Sequence, residues 1–292
     1  MRIHFFAGLA AALALVTPAR AEPDWQAVAK ALGKEGAVQP GGVYRVGLPR
    51  ADLKVKLDGV DVKPGLALGS WLAFMPIGNE AMVMGDLVLT GDEINPVMAK
   101  LLEGGIDITA LHNHLLRSDP ATMYMHVAAH GDPLKLAAAL HDGLALSKTP
   151  MGAAPAAQPQ SVDLDTAAID AAMGFKGKAN GAIYQFSIPR SDPVQDEGMV
   201  VPEAMGSALA INFQATGGGK AAIAGDLVLV ASEVNPVLRA LRMNGIEVTA
   251  VHNHMLDDQP HLFFMHFWAN DDVLKVAKGM RAALDKIAVK KS

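Results

Sequence analysis

The chain has 292 residues, a formal net charge of −5 and a hydrophobic content of 51%. This apolar content excludes a disordered chain, and the few, mostly scattered basic residues exclude a typical nucleic-acid-binding surface. Cysteine is absent. We therefore expect no disulfide and no lipid anchor on a terminal cysteine.

Residues 1–21 have the pattern of a secretory signal peptide. Arg2 precedes an apolar stretch from Phe5 to Val16, and small residues surround the expected cleavage position at Ala21. The apolar stretch is shorter than the roughly 20 residues that a membrane-spanning helix needs. We therefore expect cleavage near Ala21 and a periplasmic or secreted protein without a membrane anchor.

The next predicted elements are strands, a helix, two further strands and a closing helix. Apolar or alternating segments predict strands at 42–49, 70–77 and 81–89. A helix is predicted within 92–105, with Asn95 as its N-cap and two glycines after it. Strands at 106–116 and 122–129 and an amphipathic helix within 132–146 complete the unit.

This order of elements predicts an α+β fold. We expect a mainly antiparallel sheet with helices on one face, related to the split βαβ plan. The strand at 81–89 and the strand at 106–116 are joined by a helix, so they are expected to run parallel to each other.

The same unit is then repeated. The segment "GDLVL" occurs at 85–89 and again at 225–229, and "GIDITALHNH" at 105–114 corresponds to "GIEVTAVHNH" at 245–254. Such self-similarity indicates an internal duplication. It predicts repeat domains at 22–147 and 163–289, joined by a Pro/Ala-rich linker at 148–162. The sequence leaves open whether the two halves share one sheet.

Each repeat contains a cluster of histidines that we interpret as a candidate site. His112 and His114 are two residues apart on a predicted strand, so they point to the same face about 6.5–7 Å apart. A hairpin centred near Asp119 would place His112 opposite His126 and His114 opposite Tyr124. The second half would place His252 opposite His266 and His254 opposite Phe264, which predicts a drier second site.

A glutamate is the predicted acidic partner of each cluster, because parallel strands bring their carboxyl ends to one edge of the sheet. The two proposed constellations are Glu93, His112, His114, His126 and Glu233, His252, His254, His266. Three imidazoles and a carboxylate suit a divalent metal, with zinc as the first candidate. The alternative is a structural role, in which core histidines donate to backbone carbonyls and connect the hairpin.

Two further repeated features concern polar side chains. Arg50 and Arg190, each within Pro-Arg-x-Asp, are candidate ligand-binding residues that would hold an anion in a planar fork. The alternative for both is a local ion pair with the nearby aspartate. The Tyr124 hydroxyl is a third candidate for ligand binding. Asp86 and Asp226, within "GDLVL", are interpreted as turn or hairpin residues rather than as catalysts.

At these motifs the sequence resembles the bacterial domain-of-unknown-function family 1259, also called the LppY/LpqO family. The resemblance rests on "GDLVL", "EVNPV", "GIEVTAVHNHML" and "FFMHFWAND" and covers both halves. It implies an exported, duplicated protein and supplies no catalytic residues. The members that give the family its name are lipoproteins, whereas this chain lacks the cysteine needed for lipid attachment.

Three functions remain as hypotheses. The first is an exported binding protein whose histidine clusters hold a divalent metal or a small ligand. The second is a metal-dependent envelope hydrolase in which Glu93 or Glu233 acts as the base. The third is a structural or interaction module with core histidines.

Overall fold

The computed structural model describes residues 23–152 and 160–291. The predicted signal peptide and the middle of the predicted linker, residues 153–159, lie outside the described residues. Within the described ranges, no helix is both long and apolar enough to cross a membrane.

The first half alternates strands and helices in the predicted order. Its helices are α1 (Trp25–Leu32), α2 (Pro64–Ala67), α3 (Ile94–Glu103) and α4 (Pro133–Leu144). Its strands are β1 (Ala37–Val38), β2 (Tyr44–Pro49), β3 (Val55–Leu57), β4 (Val60–Val62), β5 (Gly69–Ile77), β6 (Glu80–Thr90), β7 (Asp107–His112) and β8 (Thr122–Gly131).

The second half repeats this order. Its helices are α5 (Thr166–Met173), α6 (Ala231–Met243) and α7 (Val273–Leu284), with a short 3-10 helix at Glu203–Met205. Its strands are β9 (Lys178–Asn180), β10 (Ile183–Pro189), β11 (Gln195–Asp196), β12 (Met199–Val200), β13 (Ala208–Gly217), β14 (Lys220–Val230), β15 (Glu247–His252), β16 (Asp258–Gln259) and β17 (Leu262–Asp272).

Each half has its own six-stranded sheet, so the halves do not share one. The strand orders are β1-β2-β5-β6-β8-β7 and β15-β17-β14-β13-β10-β9, and paired neighbours are antiparallel. Because β6 and β7 are both antiparallel to β8, which lies between them, they are parallel to each other. The predicted α+β class with a split βαβ arrangement is confirmed.

The longer helices, α1, α3 and α4 in the first half and α5, α6 and α7 in the second, cover one face of each sheet, and the other faces meet. On β6, Val83 and Leu87 lie in one core with Leu101 of α3 and Leu140 of α4. Alternate residues point the other way, and Met84 packs in a core with residues of the second half. The layers are therefore helices, sheet, sheet and helices.

Two arms, residues 50–68 and 190–206, extend the contact between the halves. Leu66 of the first arm packs with Ala222 and Ala224 of the second sheet. Met205 of the second arm packs with Ala73 and Met84 of the first sheet. Each half thus contributes apolar surface to the core of the other.

Close packing at Gly225 gives a testable consequence for the "GDLVL" repeat. A Cβ atom at this position would overlap the carbonyl oxygen of Ala210 on the neighbouring strand. We expect Gly225→Ala to lower the free energy of unfolding by about 1–3 kcal/mol, because the backbone of β13 must move. Gly47→Ala on β2 is the matched control, since its Cβ would meet nothing within 4 Å. Equal urea midpoints for the two variants would contradict this account.

Candidate metal centre

Six histidines, three from each half, meet between the two sheets. The closest ring pair across the halves is His112 and His252, whose centroids are 3.5 Å apart with nearly parallel planes. His114 stacks on His266 at 3.6 Å, and His126 stacks on His254 at 3.8 Å. The expectation of two separate clusters, one exposed and one dry, is therefore wrong, because the sheet faces that carry them pack against each other.

The cluster has an approximate twofold axis that relates the halves. The distance between the rings of His112 and His126 is 5.0 Å, and the equivalent pair, His252 and His266, is separated by 4.8 Å. Ring stacking on Tyr124 by His114, at 3.4 Å, is matched by stacking of His254 on Phe264, at 3.3 Å. The pair His112 and His252 lies on the axis.

The strand register that carries the histidines differs from the expected one by two residues. His112 lies opposite Tyr124, and Ala110 rather than His112 lies opposite His126, with a bulge between Ile108 and Ala110. Because side chains alternate along a strand, a shift of two residues keeps the predicted face. His114 follows the end of β7 in the connecting loop, and the second half has the same arrangement.

The carboxylates beside the histidines are Asp86 and Asp226. Of the interpretation as turn or hairpin residues, the hairpin part holds and the turn part is wrong, because both residues lie inside strands. Asp86 lies within β6 directly opposite His126, and Asp226 lies within β14 opposite His266. Asp86 Oδ2 is 3.7 Å from His114 Nε2, and Asp226 Oδ2 is 3.1 Å from His254 Nε2. An acidic residue inside an otherwise apolar strand, repeated in both halves, was the signal available in the sequence.

Backbone carbonyls of the repeated "GDLVL" segment orient two of the rings. His266 Nδ1 donates to the carbonyl oxygen of Gly225 at 2.7 Å, and the backbone of Gly85 hydrogen-bonds the ring of His126. With the proton on Nδ1, the lone pair of His266 is on Nε2, the usual arrangement for a metal-binding histidine. The Nε2 atom of His126 has no hydrogen-bond partner.

Other buried polar atoms of the cluster also lack a hydrogen-bond partner. His252 has none at either ring nitrogen, and His254 Nε2, although near Asp226, has no hydrogen-bond geometry. One oxygen each of Asp86 and Asp226 is likewise unpaired. A buried polar group left unpaired costs about 1–3 kcal/mol, so several together require an explanation.

Burial keeps the imidazoles neutral. Desolvation lowers the pKa of all six rings, that of His112 to about 2. Desolvation also raises the pKa of Asp226 to about 6 and the pKa of Asp86 well above its usual range. Neutral imidazole is the form that binds a metal ion.

The spacing of the ring nitrogens suits coordination. His112 Nε2 is 3.2 Å from His266 Nε2 and 3.1 Å from His114 Nε2. Metal–nitrogen bonds of about 2.0–2.1 Å in a tetrahedral site give ligand spacings of about 3.3 Å. Three groups of histidines have ligand atoms within 4.8 Å of one another and could hold a metal ion: His112, His126, His252; His112, His114, His266; and His252, His254, His266.

Glu93 and Glu233, the predicted acidic ligands, belong to none of these groups. Glu93 accepts hydrogen bonds from Arg50 Nη1 at 2.8 Å, from the Thr90 amide at 2.9 Å and from the Lys148 amide at 2.7 Å. Burial acts to raise the pKa of Glu93, but these bonds hold it below its usual range. Glu233 is held in the same way by Arg190 and two amides.

The guanidinium groups of both arginines and the tyrosine hydroxyl are hydrogen-bonded to protein partners. The buried Arg50 guanidinium is occupied by Glu93, Asp52 and the carbonyl oxygen of Val88, and Arg190 repeats the bonds to Glu233 and a carbonyl. Both arginines therefore form the ion pair that was the alternative expectation, and each also pairs with a second carboxylate, Glu93 or Glu233. The Tyr124 hydroxyl donates to the carbonyl oxygen of Ala67 at 2.7 Å.

A cavity of about 1330 Å³ reaches the cluster from one side. At the cluster its lining includes both aspartates and four of the histidines. These residues are Asp86, His114, His126, Asp226, His254 and His266. The lining also includes Arg45 and Trp71 of the first sheet. A small molecule in this cavity would therefore have access to the centre.

Comparison with known proteins gives a family but no activity. No curated protein matches the chain. Among solved structures, the chain resembles a trimeric bacterial microcompartment shell protein, PduB, at 11% identity and a TM-score of 0.21, covering 86% of this chain and 90% of that one. EtuB from Clostridium kluyveri matches at 9% identity and a TM-score of 0.21, covering 86% and 91%. The family model "Domain of Unknown Function (DUF1259)" matches residues 26–146 and 167–286. The chain therefore belongs to the DUF1259 family.

Proposed function

We propose that the protein binds divalent transition-metal ions in the centre between its two halves. The observation that carries this proposal is the convergence of six neutral histidines, three buried and three half-buried, whose ring nitrogens include several without a hydrogen-bond partner. Zinc is the first candidate, since neutral imidazole and carboxylate are ligands that it commonly has. The signal-peptide pattern of residues 1–21 supports a periplasmic or secreted site of action.

The alternative of purely structural histidines predicts rings whose nitrogens bond backbone carbonyls. Of the six, His266 makes such a bond through Nδ1, and His126 is hydrogen-bonded by the backbone of Gly85. His252 has no partner at either nitrogen. A core that served only packing would avoid this cost by using apolar side chains, so metal binding accounts better for the cluster.

The approximate symmetry favours two ions rather than one. His112 and His252, which stack across the axis, each belong to two of the three candidate groups and share one of them. The group His112, His114 and His266 takes two rings from the first half and one from the second. The symmetry mate of this group would be His126, His252 and His254. Of its three pairs, His126 with His252 and His252 with His254 each occur within another candidate group.

Metal analysis tests the proposal directly. Protein purified without chelators and without a His tag is expected to carry two zinc-like ions per chain. Removing the metal with a chelator is expected to lower the melting temperature, and adding zinc back to restore it, because an ion that binds only the folded state stabilises it. Absence of bound metal at micromolar concentrations, with no shift in melting temperature, would refute metal binding.

The cavity supports metal-dependent hydrolysis as a second candidate function. A hydrolytic metal site needs an open coordination position and a nearby base. Asp86 and Asp226 line the cavity beside the histidines, whereas Glu93 and Glu233 are held in ion pairs. Turnover of ester or phosphate substrates by the metal-loaded protein, and not by the metal-free protein, would distinguish catalysis from binding.

A further inference from the structure

We propose that Arg45 forms a subsite for the carboxylate or phosphate group of a small organic anion, bound in the cavity beside the metal centre. The anion's other end would complete the coordination of an ion, and in that respect the inference rests on the proposed metal binding. The subsite itself depends only on Arg45, Trp71 and the cavity.

Arg45 presents an incompletely bonded guanidinium to the cavity. Its Cζ atom lies 4.1 Å from the ring centroid of Trp71, so the cation is supported by the indole face. Its Nη1 donates to the carbonyl oxygen of Ala204 in the second arm. Because a stacked guanidinium keeps its N–H groups at its edge, the remaining donors can bind an oxyanion in a planar fork.

No carboxylate neutralises this cation through an ion pair in the described part of the chain. Asp86 acts on Arg45 only through its field, and burial lowers the pKa of Arg45 to about 10, which leaves the guanidinium charged at neutral pH. Arg190, which also lines the cavity, differs because Glu233 occupies it. A partly desolvated cation without a counter-ion is costly, and a bound anion would offset that cost.

The second half indicates that the fold does not require arginine at this position. Arg45 lies opposite Ala73 on the first sheet, and the equivalent position on the second sheet is Gln185, opposite Asn212. The Gln185 amide bonds Asn212 and the carbonyl oxygen of Gly65. The same framework therefore folds with a neutral side chain, which favours a ligand-binding role for Arg45.

Arg45 is close enough to the metal centre for one small molecule to contact both. Trp71 lies directly opposite Asp86 in the sheet, and Asp86 is 3.7 Å from His114. Arg45 is on β2, two strand spacings or roughly 10 Å of backbone from β6. Its side chain leans over Trp71, so the gap to the centre suits an anion of a few carbon atoms.

The test is calorimetric titration of zinc-loaded protein with malonate and, separately, with inorganic phosphate. We expect at least one to bind, with affinity reduced about tenfold or more in Arg45→Gln, which loses the charged fork. Lys178→Gln is the matched control: it removes the same charge from the same cavity lining and is expected to change affinity by less than about threefold, because an exposed charge is screened. The tighter of the two probes identifies carboxylate or phosphate as the ligand group.

Three outcomes would overturn the subsite. These are no binding of either oxyanion to zinc-loaded wild type, equal losses in Arg45→Gln and Lys178→Gln, and loss of zinc from Arg45→Gln. Zinc content, measured on each sample, separates this inference from metal binding. If wild type holds no zinc, the metal proposal fails, and the titration of zinc-free protein still tests Arg45 on its own.

Discussion

Replacing both His112 and His252 with alanine is expected to remove most of the bound metal. These rings stack on the approximate axis at 3.5 Å, and each belongs to two of the three candidate metal groups. Loss of both therefore takes a ligand from every group. Elemental analysis should find metal near the background level, and the melting temperature should no longer rise when zinc is added.

A matched control removes two histidines that lie outside the cluster. His130 and His261 are exposed and contact Glu80 and Asp258, respectively. The variant with both replaced by alanine is expected to keep its metal. His114→Ala, at the cavity end of the cluster, provides a second variant with a smaller change in buried volume. Full metal content in folded His112→Ala/His252→Ala protein would exclude the cluster as the binding site.

Arg50→Ala is expected to cause a large loss of stability without loss of metal. The Arg50 side chain is fully buried and pairs with Glu93 at 2.8 Å. Removing one partner of a buried ion pair leaves the other charge uncompensated, which costs about 3–5 kcal/mol. Urea denaturation should show this loss, and Arg190→Ala should show a similar one in the second half.

The control for this prediction is Arg117→Ala. Arg117 pairs with Asp58 and Glu247, but all three side chains are exposed. Exposed pairs contribute little because solvent screens them, so only a small change is expected. If Arg50→Ala were no less stable than Arg117→Ala, the buried network would not hold the first half together as described. Metal loss in folded Arg50→Ala protein would instead support the sequence-based prediction that Glu93 contributes to the metal site.

The sequence was sufficient to predict the duplication, the α+β class and the face on which the histidines lie. These predictions follow from local periodicity and from repeated segments. A register error of two residues does not change them, because His112 and His126 stay on the same face of the sheet although they are not directly opposite each other. The acidic partner could not be found in the same way. Sheet edges favoured Glu93, whereas the actual neighbour, Asp86, depends on the pairing of β6 with β8 inside the sheet.

The packing of the two halves against each other could not be predicted from sequence periodicity, for a different reason. Alternation along a strand predicts which residues share a face, but it does not predict which faces pack together. The stacking of His114 on His266 depends on the packing of one whole sheet on the other. The same packing placed Arg45 beside the arm of the opposite half, a contact between residues 159 positions apart.

The axis through His112 and His252 has a consequence for each repeat taken singly. A single repeat carries three of the six histidines and one of the two aspartates, so alone it would hold half of the candidate ligands and expose the sheet face that the other half covers. By symmetry, two identical copies of one repeat would bring the same kinds of side chain together. The two repeats nevertheless differ at Arg45 against Gln185 and at Tyr124 against Phe264, which are differences that a pair of identical copies could not have.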